Sequence, residues 1–417
     1  MELTKTKYKQ TEVGLIPEDW KLKTLGDVGD VQMCKRIFSY QTSKRGDVPF
    51  FKIGTFGKEP DAFINWDLYQ EFRKKYSFPK KGYLLISASG TIGRTVEYLG
   101  EDAYYQDSNI IWIDNDEKLI SNKYLNYTLK VIKYNTEGST IKRLYNSIIK
   151  SSKFVIPPTL TEQKAIATAL SDVDALITSL EQTITKKKAI KQGAMQQLLT
   201  PPHKGGKRLP GFEGEWVMQN LKDIIWFQEG PGVRKYQFTT RGVKLLNGTN
   251  IQQGVLDLDR TDRYISEKEA FGWYSHFLVD DGDILIACSG ITVARFDEKV
   301  TIAEKYHLPL CMNTSTMRFK MKSNSVYKGF FMHYLKSSDF KKQIEGQATG
   351  SAQLNFGPSH VEKVIMEIPT YNEQQAIAQI LSDMDAEITQ LETKKEKYQA
   401  IKQGMMQELL TGKTRLV

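Results

Sequence analysis

The chain contains a 39-residue segment twice, and this internal repeat constrains the fold more than any other feature of the sequence. Residues 162–200 and 373–411 are identical at 25 of 39 aligned positions, at a constant offset of 211. A weaker similarity links residues 82–90 to residues 282–290, at an offset of 200. The sequence therefore predicts two copies of one plan, each a variable globular region followed by a closely similar helical segment.

The repeated segments have the pattern of long amphipathic helices. Their apolar residues recur at spacings of three and four, the heptad pattern that lets two helices pack along their length. These residues are Ile166, Leu170, Val173, Ile177, Leu180 and Ile184 in the first copy, and Ile377, Leu381, Met384, Ile388 and Leu391 in the second. Thr161 and Asn372 are the predicted N-caps, while Pro201 and Gly412 are predicted to end the helices. At 1.5 Å per residue, each helix would span roughly 50–55 Å.

We expect the two helices to pack antiparallel and to hold two globular domains apart, related by a pseudo-twofold axis. Polar positions are repeated as well as apolar ones, which favours a pairing or docking surface; they include Ser171, Asp172, Asp174, Thr178, Glu181, Lys191 and Gln192. The alternative is two independent amphipathic helices, each packed on its own domain. Gly193 and Gly404 would mark either a close backbone approach or a bend.

The globular regions are predicted to be α/β or α+β domains. Short β-rich runs alternate with polar, glycine-containing loops, namely Tyr83–Ser87, Ile110–Ile113, Ile284–Ala287 and Thr316–Phe319. The predicted organisation is a globular domain (1–158), a helical spacer (159–200), a linker (201–215), a second globular domain (216–369), and a second helical spacer with a C-terminal tail (370–417). The linker assignment rests on the proline, glycine and charged residues of 201–215.

Composition narrows the class of protein. The 417 residues include 58 Lys and Arg against 49 Asp and Glu, and the resulting charge of +9 favours a nucleic acid or another polyanion as partner. No run approaches the roughly 18 apolar residues that cross a bilayer, and the first residues lack the apolar core of a signal peptide. The three cysteines are widely spaced and form no CxxC pair, which fits a reducing compartment. We therefore expect a soluble intracellular protein.

The sequence offers no recognisable catalytic motif. Residues 412–414 resemble the end of a P-loop, but Gln407 stands where that motif needs a glycine. Residues 200–203 resemble the base clamp of a methyltransferase, but His203 replaces the aromatic residue and no glycine-rich cofactor loop accompanies it. The five histidines lack metal-ligand spacing. We therefore expect a chain that is not an enzyme and that holds no metal or cofactor.

The two helical motifs resemble a known family. PPTLTEQKAIA at residues 157–167 and PTYNEQQAIA at residues 369–378 each lead into a helix that closes with K-Q-G-x-M-Q-x-L-L-T. With the Ser-Gly elements that precede them, they closely resemble the specificity subunit of type I restriction–modification systems, over essentially the whole chain. The resemblance implies two target-recognition domains, each reading one half of a split double-stranded DNA site, and helices that form the spacer and dock two methyltransferase subunits.

The same resemblance implies further properties. Restriction–translocase subunits would join the larger complex, and the chain would have no catalytic site of its own. S-adenosylmethionine, ATP and magnesium would act on the partner subunits. The chain would work in the cytoplasm of a bacterium or archaeon.

The DNA-contact candidates are basic and amide residues in loops, because Arg and Lys bind guanine edges or phosphates and Asn can read adenine. They are Lys35, Arg36, Lys44, Arg45, Arg94, Arg234, Lys235, Arg241, Asn247, Asn250 and Arg295. The loops that carry them are interleaved with Phe38, Tyr40, Tyr236 and Phe238. The alternative for any one of them is ordinary solvated charge. We expect Arg94→Ala and Arg295→Ala to weaken DNA binding.

Three classes of function remain to be compared. A DNA reader and assembly scaffold agrees with the basic charge and with two dissimilar domains on a repeated frame. A self-sufficient DNA enzyme would need the cofactor or metal motif that is missing. A coiled-coil interaction protein without a nucleic-acid partner is the third possibility, and a salt-dependent DNA-binding assay would separate it from the first.

Overall fold

The computed structural model describes residues 7–132, 134, 144–322, 324–346 and 353–416. The chain divides into two compact units. The first unit comprises Met1–Glu181 and Thr393–Val417, and the second comprises Gln182–Glu392. Each unit therefore holds one globular domain together with part of each repeated helical segment.

The first globular domain is built from short strands and three helices among its described residues. Its strands are β1 (Tyr8–Thr11), β2 (Gly14–Pro17), β3 (Lys21–Thr24), β4 (Val31–Gln32), β5 (Val48–Phe51), β6 (Phe63–Ile64), β7 (Leu84–Ser87), β8 (Thr95–Glu97), β9 (Tyr104–Tyr105), β10 (Ile110–Ile113) and β11 (Lys153–Ile156). Its helices are α1 (Trp66–Lys75), α2 (Asn122–Val131) and α3 (Asn146–Ser151), and the long helix α4 (Leu160–Leu198) follows.

Two sheets form the body of this domain. An antiparallel four-stranded sheet has the order β4-β10-β7-β8, and a three-stranded sheet has the order β6-β5-β9, in which β5 and β9 run parallel. All four residues of β7 and of β10 are buried, which explains their nearly continuous apolar sequences. β11 pairs antiparallel with β3 and leads directly to α4.

The second globular domain has a similar set of elements. Its strands are β12 (Val217–Asn220), β13 (Ile225–Glu229), β14 (Val243–Leu246), β15 (Ile251–Gln252), β16 (Val255–Leu256), β17 (Tyr264–Ile265), β18 (Ile284–Ala287), β19 (Val300–Ile302), β20 (Leu310–Met312), β21 (Thr316–Met321) and β22 (Ile365–Ile368). Its helices are α5 (Leu221–Ile224), α6 (Glu267–Phe271), α7 (Lys328–Leu335), α8 (Ser338–Glu345) and α9 (Pro358–Val361), and the long helix α10 (Tyr371–Leu409) follows.

The sheets of the second domain repeat the topology of the first. Its four-stranded sheet has the order β13-β21-β18-β19, and its three-stranded sheet has the order β17-β14-β20, with β14 and β20 parallel. β22 pairs antiparallel with β12 and leads to α10, as β11 and β3 do before α4. The predicted strands at β7, β10, β18 and β21 are all present. The duplication that was inferred from the repeated helical segments therefore includes both globular domains, although the sequences of these domains are much less similar.

The two long helices are each 39 residues in length, or about 58 Å at 1.5 Å per residue. Both begin earlier than predicted. Thr159 Oγ1 accepts a hydrogen bond from the Glu162 amide at 3.1 Å, so Thr159 caps α4 and Thr161 lies inside its first turn. Asn372 likewise lies inside α10 and does not cap it. Among the described residues, every helix is too polar or too short to cross a membrane.

Ion pairs within each unit show that the helices run antiparallel. In the second unit, Lys187 Nζ lies 2.6 Å from Glu387 Oε1, and Lys191 bonds to Asp385. The later residue on α4 thus pairs with the earlier residue on α10, as expected for antiparallel helices. In the first unit, Lys402 Nζ lies 2.5 Å from Asp174 Oδ1. Lys402 is the copy of Lys191 and Asp174 is the counterpart of Asp385 in the repeat, so the same ion pair forms in both units. The predicted antiparallel pairing is confirmed, and repeated polar residues form part of it.

Each unit has a core that joins its domain to both helices. In the first unit, Ile166 and Leu170 of α4 are buried in one cluster with Leu409, at the end of α10. In the second unit, Leu198 shares a cluster with Ile377 of α10. Burying each such side chain stabilises the unit by roughly 1.5–3 kcal/mol, so the helices are integral parts of both units.

Residues 201–215, predicted as a linker, are bonded to the second unit. Lys204 Nζ lies 2.5 Å from Glu367 Oε1, and Arg208 Nη2 lies 2.7 Å from Glu373 Oε2. Glu373 is fully buried, and a buried carboxylate requires a cation. This segment is therefore held in place by its charges in spite of its proline and glycine content.

Candidate nucleic-acid interface

The two domains carry the same seven-residue pattern in their predicted basic loops. Tyr40–Gly46 reads YQTSKRG and Tyr236–Gly242 reads YQFTTRG, at an offset of 196 that also relates Trp20 to Trp216. We call residues 38–46 and 234–242 the shared loops. The basic and aromatic residues of these loops were recognised from the sequence, but their common pattern was missed, and a comparison of the two halves at this offset would have found it.

Side-chain bonds to the main chain fix the shared loop of the first domain. Ser39–Gln41 forms a 3₁₀ turn, and Gln41 Oε1 accepts a hydrogen bond from the Phe38 amide at 3.0 Å. The Ser43 hydroxyl donates to the carbonyl oxygen of Arg45, and the Ser43 amide donates to the Phe63 carbonyl at 2.9 Å. These bonds hold the turn in the conformation described.

The shared loop of the second domain is fixed by the same bonds. Gln237 Oε1 accepts from the Arg234 amide at 3.0 Å, again across a 3₁₀ turn. Thr239 Oγ1 donates to the Arg241 carbonyl at 2.8 Å, and the Thr239 amide donates to the Tyr264 carbonyl at 2.9 Å. The glutamine and the hydroxyl residue therefore have the same structural role in both domains.

The tyrosine and arginine of each shared loop point into solvent. Tyr40 is 82% exposed and Tyr236 is 86% exposed. Arg45 and Arg241 are also exposed, and neither has a carboxylate partner among the described residues. The ring of Tyr40 stacks on the exposed ring of Phe38, with centroids 5.7 Å apart. An exposed tyrosine beside free arginines can bind a polyanion.

The other basic candidates of these loops are also at the surface. Lys44 and Lys235 are exposed without a carboxylate partner in the described ranges, as is Arg234. Lys35 is exposed, with its ammonium group 5.1 Å from the centre of the Tyr76 ring. Each of these side chains is available to a ligand.

Three arginine candidates already have partners within their own units. Arg36 Nε lies 2.7 Å from Asp107 Oδ2, and Arg94 Nη2 donates to the Gly57 carbonyl at 3.3 Å. Arg295 Nη2 lies 2.6 Å from Glu298 Oε2, which raises the pKa of the guanidinium. Arg295 would have to share or leave Glu298 to reach a phosphate. Their role in DNA binding stays a prediction.

Asn247 and Asn250 are buried, which conflicts with the prediction that they read adenine. The Asn250 amide group donates to the Asp257 carbonyl at 2.9 Å and accepts from the Asn247 backbone amide at 2.9 Å. The Asn247 side chain donates to the Leu245 carbonyl at 3.1 Å and accepts from Asn313 at 3.1 Å. Both side chains hold the turn after β14, and neither presents a free edge to DNA.

The Ser-Gly elements at residues 89–90 and 289–290 are structural turns. Gly90 and Gly290 both have φ of +68°, the left-handed region that favours glycine. Ser289 Oγ donates to Asn355 at 2.9 Å, and Ser89 Oγ donates to Asn109 at 2.8 Å. These contacts account for the similarity of the two elements without a ligand.

A second candidate surface lies on the long helices, on the side away from the buried apolar residues. We call it the repeated face, and it occurs once in each unit, as Ala189, Ile190, Gly193 and Gln196 on α4 in the second unit and as their copies Ala400, Ile401, Gly404 and Gln407 on α10 in the first. Ile190 is 47% exposed and Ile401 is 40% exposed. An added Cβ at either glycine would meet no atom within 4 Å, and both helices continue past it. The fold therefore gives no reason for glycine at these positions, where it is about 1 kcal/mol less favourable than alanine.

The described residues offer little for covalent or metal chemistry. No group of three or more His, Cys, Asp or Glu side chains comes together within the described ranges. Burial raises the pKa of Cys34 to about 12 and that of Cys311 to about 11, so neither thiol is activated. The surfaces found above are suited to binding.

Comparison with known proteins identifies the family. The model of the type I restriction modification DNA specificity domain matches residues 17–192 and again residues 213–403. The chain belongs to this family of type I specificity proteins. The two matches coincide with the two copies recognised from the repeat, so the specificity subunit consists of two such domains in one chain.

Individual relatives agree with the family assignment. The chain is 54% identical to a putative type I restriction enzyme specificity subunit of Haemophilus influenzae over 176 residues, 42% of this chain and 46% of the relative. It is 25% identical to the MjaVIII specificity subunit of Methanocaldococcus jannaschii over 422 residues, 98% of this chain and 96% of the relative.

Solved structures share the fold of the specificity subunit. The type I S subunit from M. genitalium aligns with a TM-score of 0.55 at 15% identity, covering 97% of this chain and 98% of that chain. A chain from a structure on complex assembly and conformational transition of the type I R-M system aligns with a TM-score of 0.59 at 12% identity, covering 96% and 99%. The predicted mixture of helices and strands in two repeated domains is confirmed.

Proposed function

We propose that the specificity subunit reads double-stranded DNA at a site of two halves, with each globular domain reading one half. The observation that carries this proposal is the pair of shared loops. Two domains of one topology present the same exposed tyrosine and arginine from equally fixed turns, while most of their remaining sequence differs. The same loop on two domains of different sequence is what we expect if both domains bind the same class of ligand, DNA, but recognise different base sequences.

Charge supports DNA as that ligand. The chain carries a formal charge of +9, and the exposed cations Lys44, Arg45, Arg234, Lys235 and Arg241 lie within the shared loops. Phosphate contacts of this kind set the register of a protein on the duplex, and contacts to base edges supply the sequence preference. Because the two domains differ in sequence, we expect the two half-sites to differ as well.

We further propose that the repeated face binds the methyltransferase subunits. Its alanine and isoleucine residues are exposed, and the four residue types occur in the same order on both helices, so each helix offers an equivalent surface. Gly193 and Gly404 would allow a partner helix to approach closely, because no side chain in the described part of the chain lies within 4 Å of a Cβ added there. Two equivalent surfaces suit two copies of one partner.

Family membership also suggests the remaining parts of the proposed complex. We expect restriction–translocase subunits to join the methyltransferase subunits and the assembly to act in the cytoplasm of a bacterium or archaeon. In this proposal S-adenosylmethionine, ATP and magnesium act on those partner subunits. The subunit itself would contribute recognition without catalysis.

Sequencing of methylated adenines tests the proposal directly. The chain would be expressed together with its cognate methyltransferase subunits, and cells with the methyltransferase alone would serve as the control. We expect a split methylated motif that appears only when the chain is present. Absence of any new motif, with a stable complex verified by size-exclusion chromatography, would instead indicate an interaction scaffold without DNA specificity.

A further inference from the structure

In each shared loop, some residues are needed for the conformation of the loop and others are not. Gln41 and Ser43 hold the turn of the first domain through their bonds to the main chain. A side chain at Gly46 would place its Cβ 2.9 Å from Phe63 Cβ. Loop geometry therefore accounts for the glutamine, the hydroxyl residue and the glycine of the pattern.

The shared loop of the second domain contains the same two kinds of residue. Gln237 and Thr239 make the corresponding bonds, and Gly242 has φ of +126° with an added Cβ only 2.3 Å from the Ile265 carbonyl oxygen. Loop geometry does not account for Tyr236 or Arg241, whose side chains are exposed.

Among the described residues, neither the tyrosine hydroxyl nor the arginine guanidinium of a shared loop is bonded within its domain, and the ring of Tyr40 contacts only Phe38, which is itself exposed. The side chains of Tyr40, Tyr236, Arg45 and Arg241 are all exposed. The residues between them vary, with Thr42 replaced by Phe238 and Lys44 by Thr240. The retained pair is therefore explained by a ligand and not by the fold.

We infer that Tyr40 with Arg45, and Tyr236 with Arg241, bind the sugar–phosphate backbone of the two half-sites and do not read bases. The inference rests on the proposed function. The two half-sites present different bases to the two domains, and the sugar–phosphate backbone is what they have in common. Residues that remain the same in both readers should therefore contact the backbone, whereas base contacts should come from residues that differ.

The chemistry of the pair suits phosphate. Arginine forms charge-assisted hydrogen bonds with phosphate oxygens, and the tyrosine hydroxyl is a neutral donor to the same group. The surroundings are positive as well, with Lys44 beside Arg45 in one loop, and Arg234 and Lys235 beside Tyr236 in the other. The fixed turn would place both donors at a constant position against the duplex and so set the register of each domain.

The test uses four single variants of the full chain, assembled with methyltransferase subunits. They are Arg45→Gln, Arg241→Gln, Tyr40→Phe and Tyr236→Phe. Dissociation constants would be measured for the cognate duplex and for a duplex of equal length with both half-sites scrambled, between about 50 and 200 mM salt. Methylated motifs would be sequenced for every variant.

The two kinds of variant should behave differently. Each arginine variant should weaken binding to both duplexes by a similar factor, about 5- to 20-fold, and reduce the slope of log affinity against log salt by about 0.9. Each tyrosine variant should weaken both duplexes about 3- to 10-fold without changing the slope, because it removes a hydrogen bond and no charge. The methylated motif should remain the same in all four.

Matched controls remove one positive charge elsewhere in each unit. Lys123→Gln on α2 and Lys363→Gln before β22 change exposed lysines outside the shared loops, and we expect neither to alter affinity. A variant that changes the methylated motif, or weakens the cognate duplex alone, would show base reading and overturn the inference. So would unchanged binding of both duplexes by all four variants while the unmodified chain remains specific. If the unmodified chain binds the two duplexes equally and directs no motif, the proposed function itself fails and the inference fails with it.

Discussion

Arg415 Nη2 donates to Glu162 Oε2 at 2.8 Å, which bonds the end of the described chain to the first turn of α4 within the first unit. Arg415 also binds Asp19 at 2.9 and 3.0 Å, while Glu162 is only 2% exposed. In the second unit, Arg208 binds the fully buried Glu373, the copy of Glu162. Each helix thus begins with a buried carboxylate that an arginine after the other helix neutralises.

Replacing Arg415 should destabilise the first unit strongly. In Arg415→Met the carboxylate of Glu162 would stay buried without a cation, a loss of about 3 kcal/mol in the free energy of unfolding. Urea denaturation of the isolated chain would measure it, with the exposed Lys413→Met as a control. The double variant Glu162→Gln/Arg415→Met should recover most of the loss, and a double variant as unstable as the single one would contradict this account.

His333 on α7 is expected to make the second unit sensitive to acid. It is 5% exposed, with Nε2 3.2 Å from Ser382 Oγ, and burial together with the charges of Lys191 and Lys336 lowers its pKa to about 4. The unfolded chain, with an ordinary histidine pKa of about 6.5, binds the proton first as pH falls. Stability contributed by neutral His333 is therefore present above about pH 6.5 and is lost progressively toward pH 4.

The variant His333→Leu should flatten that dependence. Between pH 7 and pH 5, the unmodified chain should lose about 2 kcal/mol of unfolding free energy through this residue, and the variant should lose correspondingly less. Urea denaturation at a series of pH values would measure the difference. His276→Leu, which replaces an exposed histidine of the same unit, serves as the matched control. Parallel curves for His333→Leu and the unmodified chain would refute the prediction.

Gly193→Ala should have opposite effects on the chain alone and on its complex. Because an added Cβ meets nothing within 4 Å, alanine should stabilise α4 in the isolated chain by about 0.5–1 kcal/mol. If the repeated face binds the methyltransferase closely, the same methyl group should weaken that association. Thermal unfolding and titration with methyltransferase would measure the two effects.

Thr168→Ala provides the matched control for this prediction. Thr168 is an exposed position of α4 outside the repeated face, so alanine should raise helix stability there without affecting the partner. Methyltransferase binding that is equally strong in Gly193→Ala, Gly404→Ala and the unmodified chain would exclude the repeated face as the docking surface.

A four-residue insertion after Lys187 should widen the unread gap of the DNA site. Four residues add about one turn, or about 6 Å, to α4. If the helices set the gap, it should grow by about one or two base pairs while both half-site sequences remain the same. Sequencing of methylated adenines would show this, with a substitution of Lys186 by Ala as the control of unchanged length. An unaltered gap would argue against the helices as the spacer.

The sequence predicted the elements that depend on local pattern. The heptad spacing of Ile166 and Leu170 identified α4, and continuous apolar runs identified β7 and β10 because such runs suit strands buried on both faces. The helix starts were misplaced by a few residues, since Thr159 and Thr161 are equally good caps by chemistry and only the backbone decides between them.

The candidate site was predicted less completely. Arg45 and Arg241 are exposed in the predicted basic loops, but their role in DNA binding stays a prediction, and the pattern that the two loops share was missed. The two asparagines were misjudged, because a side chain that can read a base can equally bond to main-chain carbonyls, and burial at Asn250 selects the second role.

The sequence by itself determined that this protein is a duplicated plan of globular domain and long helix, because repetition and periodicity are properties of neighbouring residues along the chain. Only the tertiary structure decided that each compact unit takes parts of both helices, and that Arg415 neutralises Glu162 across 253 positions of sequence. Which polar groups are buried, and which partners they find, depends on contacts between distant segments that no local pattern encodes. For that reason the helices could be recognised from the repeat, while the residues free to bind DNA could be separated from those that hold the loops only once the fold was known.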